Sequence, residues 1–386
     1  MRNPSLRRRV ENSRDWIAGS RANKASVQAR TIRLYCFRLE DRTLTKDPSP
    51  ALSAAACAGS NIAFVKYWGV RKEPPDAGQP LNPSISMTLR EAVTTTRVTF
   101  RPGGPPERDA LILNERPGPP EALVRVTRVL DEVRRRAGLR APAEVVSANN
   151  FPTSTGVASS ASGFAALALA AAAAAGLPCA PQDLVDLAHT GSGSACRSLY
   201  GGYVLWDASS GREAGATSVR QIVAEDYWPL VDLVAVVSRR AKKVPSTEGH
   251  LLAWSSPFLE ARLSQARTAA RIVEKAILDR DFETLCRAME AETLSMHAVM
   301  MTSQPALLYW LPETVAVMGK VRSLREQGGI PCAFTIDAGP NVHVIALPEA
   351  APEVRRELEA VPGVEEVLFC TTGGGPRLLE AGGPYE

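Results

Sequence analysis

The sequence predicts a mixed α+β fold in two parts that share a cleft. Three observations carry this reading. The chain has 386 residues, enough for two domains or one large one. Apolar positions alternate over 84–89 and 92–100, as in strands, whereas Leu123, Val126, Val129, Leu130 and Val133 recur at helical spacing. A second αβ unit then starts near Leu230, with a strand over 233–237 and helices around 257–279, 281–300 and 312–327. The expected division is an extension over 1–50, a first domain over 51–228 and a second over 229–386.

Residues 1–50 hold 12 Lys+Arg against 5 Asp+Glu. They lack sustained periodicity and read as a solvated or spuriously translated extension rather than a nucleic-acid or membrane arm. Order begins near Ala54. A strand then delivers Asn61 and the cluster Lys66-Tyr67-Trp68 to a rim. The helix over 123–137 ends in Arg134-Arg135-Arg136, which suits the negative end of its dipole. A strand over 143–148 enters a loop of small and hydroxyl residues, 149–163, and that loop runs into an alanine-rich helix. A helix over 181–190 follows, ending in Gly191-Ser192-Gly193-Ser194-Ala195-Cys196-Arg197. Further on, Pro331 to Ile345 reads as strand, tight turn and strand, with Asp337 at the mouth of the turn. Thr371 to Pro376 reads as a flexible glycine turn.

Composition excludes several classes. The net charge of +4 comes from the head: without it the rest has 33 basic and 36 acidic residues, no bias toward a polyanion. No arginine-flanked apolar core resembles a signal peptide, and the longest apolar stretch, 164–175, is too short to span a bilayer. Seven cysteines, an odd number without Cys-x-x-Cys, fit free thiols in a reducing compartment, hence a cytoplasmic protein. The four histidines show no metal-ligand spacing. The Gly191 segment lacks a third glycine and follows a helix, so it is no dinucleotide fingerprint. No Gly-x-x-x-x-Gly-Lys-[Ser/Thr] occurs.

What remains is a constellation. Ser159 and Ser160 stand where a helix begins. By themselves they are an ordinary cap, but a helix start with free N–H groups also suits a phosphate. Arg197 is a planar fork for a carboxylate, Lys66 a second cation, and Asp337 a candidate base on a hydroxyl. Phosphoryl transfer needs little else besides Mg²⁺.

The loop Pro152-Thr153-Ser154-Thr155-Gly156-Val157-Ala158-Ser159-Ser160-Ala161 resembles the phosphate loop of the GHMP kinase superfamily. More closely, the chain resembles the mevalonate diphosphate decarboxylases. The matching segments are 61–69, 150–153, 191–197 with Gly201-Gly202, 246–249 and 337–341, in family order. The resemblance implies a two-domain GHMP kinase fold, with a ribosomal protein S5 domain 2-like N-terminal domain and a GHMP C-terminal domain. It implies ATP and Mg²⁺ as cofactors, with ATP on Pro152, Ser154, Gly156, Ser159 and Ser160. Asp337, Arg197 and Lys66 would be catalytic. Asn61, Tyr67, Ser194, Arg197, Ser160 and Ser162 would contact the substrate. The implied reaction converts mevalonate 5-diphosphate to isopentenyl diphosphate, with a homodimer as the working form and no nucleic-acid or membrane partner.

Val70 departs from the family, which usually has a lysine there on the substrate diphosphate. Losing a charge-assisted contact of about 1.5–3 kcal/mol weakens binding roughly ten- to a hundredfold. Ser154-Thr155 and Thr190 depart as well. At this level two alternatives stay open: a phosphomevalonate decarboxylase that gives isopentenyl phosphate, and a mevalonate-type kinase that stops after phosphorylation. Arg71 or Lys72 can compensate for Val70.

Overall fold

The computed structural model describes residues 52–72, 78–101, 109–151, 159–207, 218–240 and 244–380. The basic extension, Pro152, Ser154 and Gly156 lie outside these residues. The first part contains β1 (Leu52–Val65), β2 (Ser84–Phe100), β3 (Ala110–Leu113), β4 (Arg116–Pro117), α1 (Pro120–Ala137), β5 (Ala143–Asn149), α2 (Ser159–Ala174), α3 (Pro181–Gly191), a 3-10 turn over Gly193–Leu199, β6 (Tyr203–Asp207) and β7 (Ser218–Val223). The second contains β8 (Val231–Val236), α4 (Ser246–Leu252), α5 (Leu259–Asp279), α6 (Phe282–Thr302), α7 (Pro312–Glu326), β9 (Cys332–Thr335), β10 (Val342–Ala346), α8 (Ala351–Glu359) and β11 (Glu366–Thr371). A last strand, β12 (Arg377–Leu379), pairs back onto β1 in the first sheet.

The first sheet runs β12-β1-β2-β5-β3-β4, with β6 and β7 continuing from the other end of β2; the second runs β11-β8-β10-β9. The two strands expected over 84–89 and 92–100 are one strand of 17 residues. It survives the break in alternation at Arg90-Glu91 by bulging there: β1 passes from Gly59 to Asn61 while its partners in β2 pass from Val93 to Thr88. A side chain at Gly59 would meet the Leu89 carbonyl at 2.3 Å, so only glycine admits this approach.

α2 has no polar stripe because it has no wet face; twelve of its sixteen residues are buried. It packs with α1, whose Val126, Val129, Leu130 and Val133 are buried as the periodicity predicts, against Val98, Phe100 and Val145 of the first sheet. A second core joins the sheets: Ile62, Phe64 and Met87 meet Val234, Val273, Leu285 and Ile345. This core places α5 and α6 behind the end of β1.

The segment 371–376, expected to be a flexible turn, is instead built in. The Gly373 N–H donates to the Thr88 carbonyl at 2.8 Å, and Gly202 N–H to the Gly373 carbonyl at 2.9 Å. A side chain on Gly201 would reach the backbone of Gly375 at 2.6 Å. The glycines here serve close backbone packing rather than mobility.

Candidate active site

β1 ends in Val65 and hands Lys66 to the interior. The Lys66 ammonium donates to the Ala63 carbonyl at 2.9 Å and lies 2.6 Å from Asp337 Oδ1. Lys66 is 3 % exposed and Asp337 30 %, so the carboxylate faces the open side of the pair. Asp337 sits in the turn between β9 and β10, where Gly339 N–H donates back to the Asp337 carbonyl at 2.7 Å. Burial pushes the Asp337 pKa up, but Lys66, His343 and Arg197 outweigh it, and the net position is below the usual carboxylate range. The acid is therefore ionised at neutral pH and able to accept a proton.

Arg197 is buried in the 3-10 turn. Its Nε donates to Ser86 Oγ at 3.0 Å, Nη1 to Ser84 Oγ at 2.7 Å and Nη2 to Asn61 Oδ1 at 3.3 Å. Ser84 and Ser86 share one face of β2 because side chains repeat every second residue in a strand. Burial pulls the Arg197 pKa down, against Tyr67, Asp337 and Cys196; a guanidinium stays charged regardless. Asn61 is fixed in turn by donating to the Ser194 carbonyl at 3.1 Å and Ser198 Oγ at 2.8 Å. The Arg197 guanidinium also stands 5.7 Å from the centre of the Tyr67 ring. Tyr67 stacks on His250 at 4.6 Å and meets Trp206 edge-on. Its pKa is pushed up to about 12 by burial, so it stays a neutral phenol. Gly193 makes room for it: a side chain there would come within 2.8 Å of the Tyr67 hydroxyl and of Trp206.

Ser159 and Ser160 open α2 and are half-buried. Ser192 Oγ lies 3.5 Å from Ser160 Oγ and 3.1 Å from Ser194 Oγ. A row of hydroxyls thus links the start of α2 to the turn that carries Arg197. Ser162 is placed differently: it is fully buried and bonded to Thr94 Oγ1 at 2.6 Å, with Thr94 donating to Asn149 Oδ1 at 2.6 Å. Beside the start of α2 is a cavity of about 200 Å³, lined by Thr94, Thr96, Asn149, Ser160 and Phe164 among others.

Sequence reasoning missed four contributors. Ser84 and Ser86 had a signal, hydroxyls at i and i+2 alternating with the apolar Ile85 and Met87. Ser192 had only its place in a glycine-serine run. Arg125 had none. It lines the cavity, lies over the Phe164 ring at 4.6 Å and grips the Gly191 carbonyl with Nε and Nη2 at 3.0 and 2.7 Å.

Among the described residues, no group of three or more His, Cys, Asp or Glu can hold a metal. The donors present are hard oxygens: one carboxylate and several hydroxyls. This set fits Mg²⁺ brought in on phosphates, since Mg²⁺ needs few protein ligands and keeps waters or substrate oxygens.

Comparison with known proteins identifies the family. Residues 58–219 match the model of the diphosphomevalonate decarboxylase-like N-terminal domain, and residues 232–369 match that of the mevalonate 5-diphosphate decarboxylase C-terminal domain. Diphosphomevalonate decarboxylase mvd1 of Aspergillus fumigatus is 37% identical over 328 residues, covering 80% of each chain. The structure of "MDDEF in complex with MVAPP, AMPPCP and Magnesium" superposes with a TM-score of 0.79 at 36% identity, over 86% of this chain and 100% of the other. The mevalonate diphosphate decarboxylase of Enterococcus faecalis gives a TM-score of 0.78 at 35% identity, again over 86% and 100%. With its two domains matched in order and the hydroxyl, guanidinium and carboxylate groups gathered as described, the chain belongs to the diphosphomevalonate decarboxylase family.

Proposed function

We propose that the protein catalyses the ATP-dependent decarboxylation of mevalonate 5-diphosphate, releasing isopentenyl diphosphate, ADP, phosphate and CO₂. The observation that carries this is the grouping of Lys66, Asp337 and Arg197 at one end of a row of serines that starts at α2. Asp337, ionised and partly open, takes the proton from the tertiary C3 hydroxyl as that oxygen attacks the γ-phosphate of ATP. Lys66 holds Asp337 in place and compensates the negative charge gathered there. The phosphorylated oxygen leaves as phosphate, and the C–C bond to the carboxylate supplies the electron pair of the new alkene as CO₂ departs. Arg197 holds that carboxylate, its plane kept by Ser84, Ser86 and Asn61.

Ser159 and Ser160 meet the phosphates of ATP at the start of α2, and the adjoining cavity takes its nucleoside end. When bound, Mg²⁺ on those phosphates, with the hydroxyls of Ser159 and Ser160 nearby, would supply positive charge to the transferring group. The same reading gives domains over 51–228 and 229–386, with the last strand returning to the first sheet. It also takes the protein as a cytoplasmic homodimer. The location is supported by six described cysteines without a disulfide, and by the absence of a membrane-spanning helix among the described residues. The test is stoichiometry: purified protein with ATP, Mg²⁺ and mevalonate 5-diphosphate should release CO₂ and ADP one to one. ADP without CO₂ would leave a kinase, and neither product would remove the proposal.

A further inference from the structure

Behind Lys66 lies a buried ion pair that the chemistry above does not use. Arg262 is in the first turn of α5 and Glu292 midway along α6; their side chains are 1 % and 0 % exposed and form an ion pair. The same Arg262 Nη2 donates to the backbone carbonyl of Lys66 at 2.6 Å. Asn82 Nδ2, also buried, donates to that carbonyl at 3.1 Å and to the Pro83 carbonyl at 2.7 Å. Burial pushes the Glu292 pKa up, opposed by Arg262 and by the charge and backbone N–H of Lys66. Arg262 of α5, held by Glu292 of α6, therefore engages the Lys66 carbonyl, while the Lys66 ammonium lies on the Ala63 carbonyl and Asp337.

A buried ion pair costs desolvation and rarely adds net stability. This one is not optimised for it either, because Arg262 Nε and Nη1 have no hydrogen-bond partner. Two apolar residues would fill the space at less cost. The pair's particular product is the placement of one backbone carbonyl at the end of β1.

We propose that Arg262 and Glu292, together with Asn82, are positioning residues for Lys66, fixing its backbone so that the ammonium is held against Asp337. The inference rests on the assignment of Lys66 and Asp337 to the reacting end of the cleft. The charged or titratable groups acting on Asp337 are Lys66 just past β1, His343 on β10 and Arg197 in the 3-10 turn, and Asp337 acts in turn on His297 of α6. Of these only Lys66 is touched by the pair.

The test replaces the pair by Arg262→Met with Glu292→Met, which removes both charges, keeps the volume and leaves no orphaned ion. The folded variant is expected to lose about tenfold in kcat, because small misplacements of reacting groups are costly. Its acid limb should move to higher pH as Lys66 slackens on Asp337, and its KM for ATP should be unchanged. In a Lys66→Met background the same replacement should add nothing, which distinguishes positioning from a general loss of structure. A folded variant with wild-type kcat and pH profile would overturn the proposal. Should it not fold, Asn82→Ala decides, since it removes one donor to Lys66 without stranding a charge. A shift of the acid limb in the same direction supports the proposal, and an unchanged profile overturns it. Wild-type CO₂ release in the same assay reports on the assigned reaction, whereas the ratio of variant to wild-type ADP release reports on the positioning.

Discussion

Lys66 and Asp337 are 271 positions apart in sequence, yet their charged atoms meet at 2.6 Å. One directly follows the first strand of the first sheet and the other opens a turn of the second sheet. The contact therefore forms only when the two parts share the core of Ile62, Phe64, Val234 and Ile345. It also sets the charge state of the acid, since Lys66 is the largest influence holding the Asp337 pKa down.

Asp337→Asn keeps the shape and removes the base. Turnover should fall by about 10²–10⁴-fold, the range for losing a general base, while ATP affinity from a binding titration stays near wild type. The pH dependence follows from the sign of the shift. A lowered pKa keeps Asp337 ionised down through the ordinary carboxylate range, so wild-type kcat should be flat across mildly acidic pH. Lys66→Met removes the cation, lets burial dominate and moves the acid limb upward. Retained activity in Asp337→Asn would remove the residue as base.

Arg197→Ala is expected to damage two things at once. The substrate carboxylate loses its fork, so kcat and KM should both worsen. Ser84, Ser86 and Asn61 also lose their common partner inside the protein, at about 1–3 kcal/mol of stability for unsatisfied buried groups. Arg197→Lys supplies charge without the fork and should recover little, since the three contacts use Nε and both terminal nitrogens. Full recovery by lysine would mean that charge alone matters there.

His297 gives a stability prediction independent of activity. It is buried on α6, with Nε2 3.3 Å from the Ile336 carbonyl and its ring against Trp310. Burial lowers its pKa to about 4, so the folded protein binds fewer protons than the unfolded chain between that value and the free histidine value of 6.5. This contribution is complete above 6.5 and is lost as pH falls toward 4. Between pH 7 and 5 the wild type should lose about 2 kcal/mol more than His297→Gln. Denaturant melts at the two pH values measure this, and equal losses would refute it.

Much of this arrangement was legible in sequence wherever a local pattern carried it. The amphipathic α1, the buried α2 and the hairpin around Asp337 followed from period and turn residues. Asn61, Lys66, Arg197 and Asp337 were chosen by residue type within motifs, and the fold brings them together. Ser84 and Ser86 were readable only as a strand face, because nothing local says that an arginine 111 residues away will cover it. Arg125, Arg262 and Glu292 were invisible for a different reason. On a helix a charged residue reads as solvent-facing, and only the tertiary packing shows that Arg262 and Glu292 are buried and Arg125 half-buried. The glycines near the end were misread because a glycine turn and a site of close backbone approach look alike in sequence.

The last prediction concerns Val70, where the resemblance implies a lysine on the substrate diphosphate. Val70 is tied down by its backbone, with Trp254 Nε1 donating to its carbonyl at 2.8 Å and a bridge pairing it to Pro80. Two residues on, exposed Lys72 lies over the Trp254 ring, 5.4 Å from its centre. A cation parked on an aromatic face is held by only about 0.5–1 kcal/mol when exposed, so a diphosphate can draw it away. Of Arg71 and Lys72, the two expected substitutes for that lysine, Lys72 is the one expected to supply the charge. Lys72→Ala should raise KM for the 5-diphosphate roughly ten- to a hundredfold, the equivalent of one charge-assisted contact, and leave the KM for ATP alone. Val70→Lys in that background should restore it. Equal kcat/KM for the 5-diphosphate before and after Lys72→Ala would show that the terminal phosphate is held elsewhere.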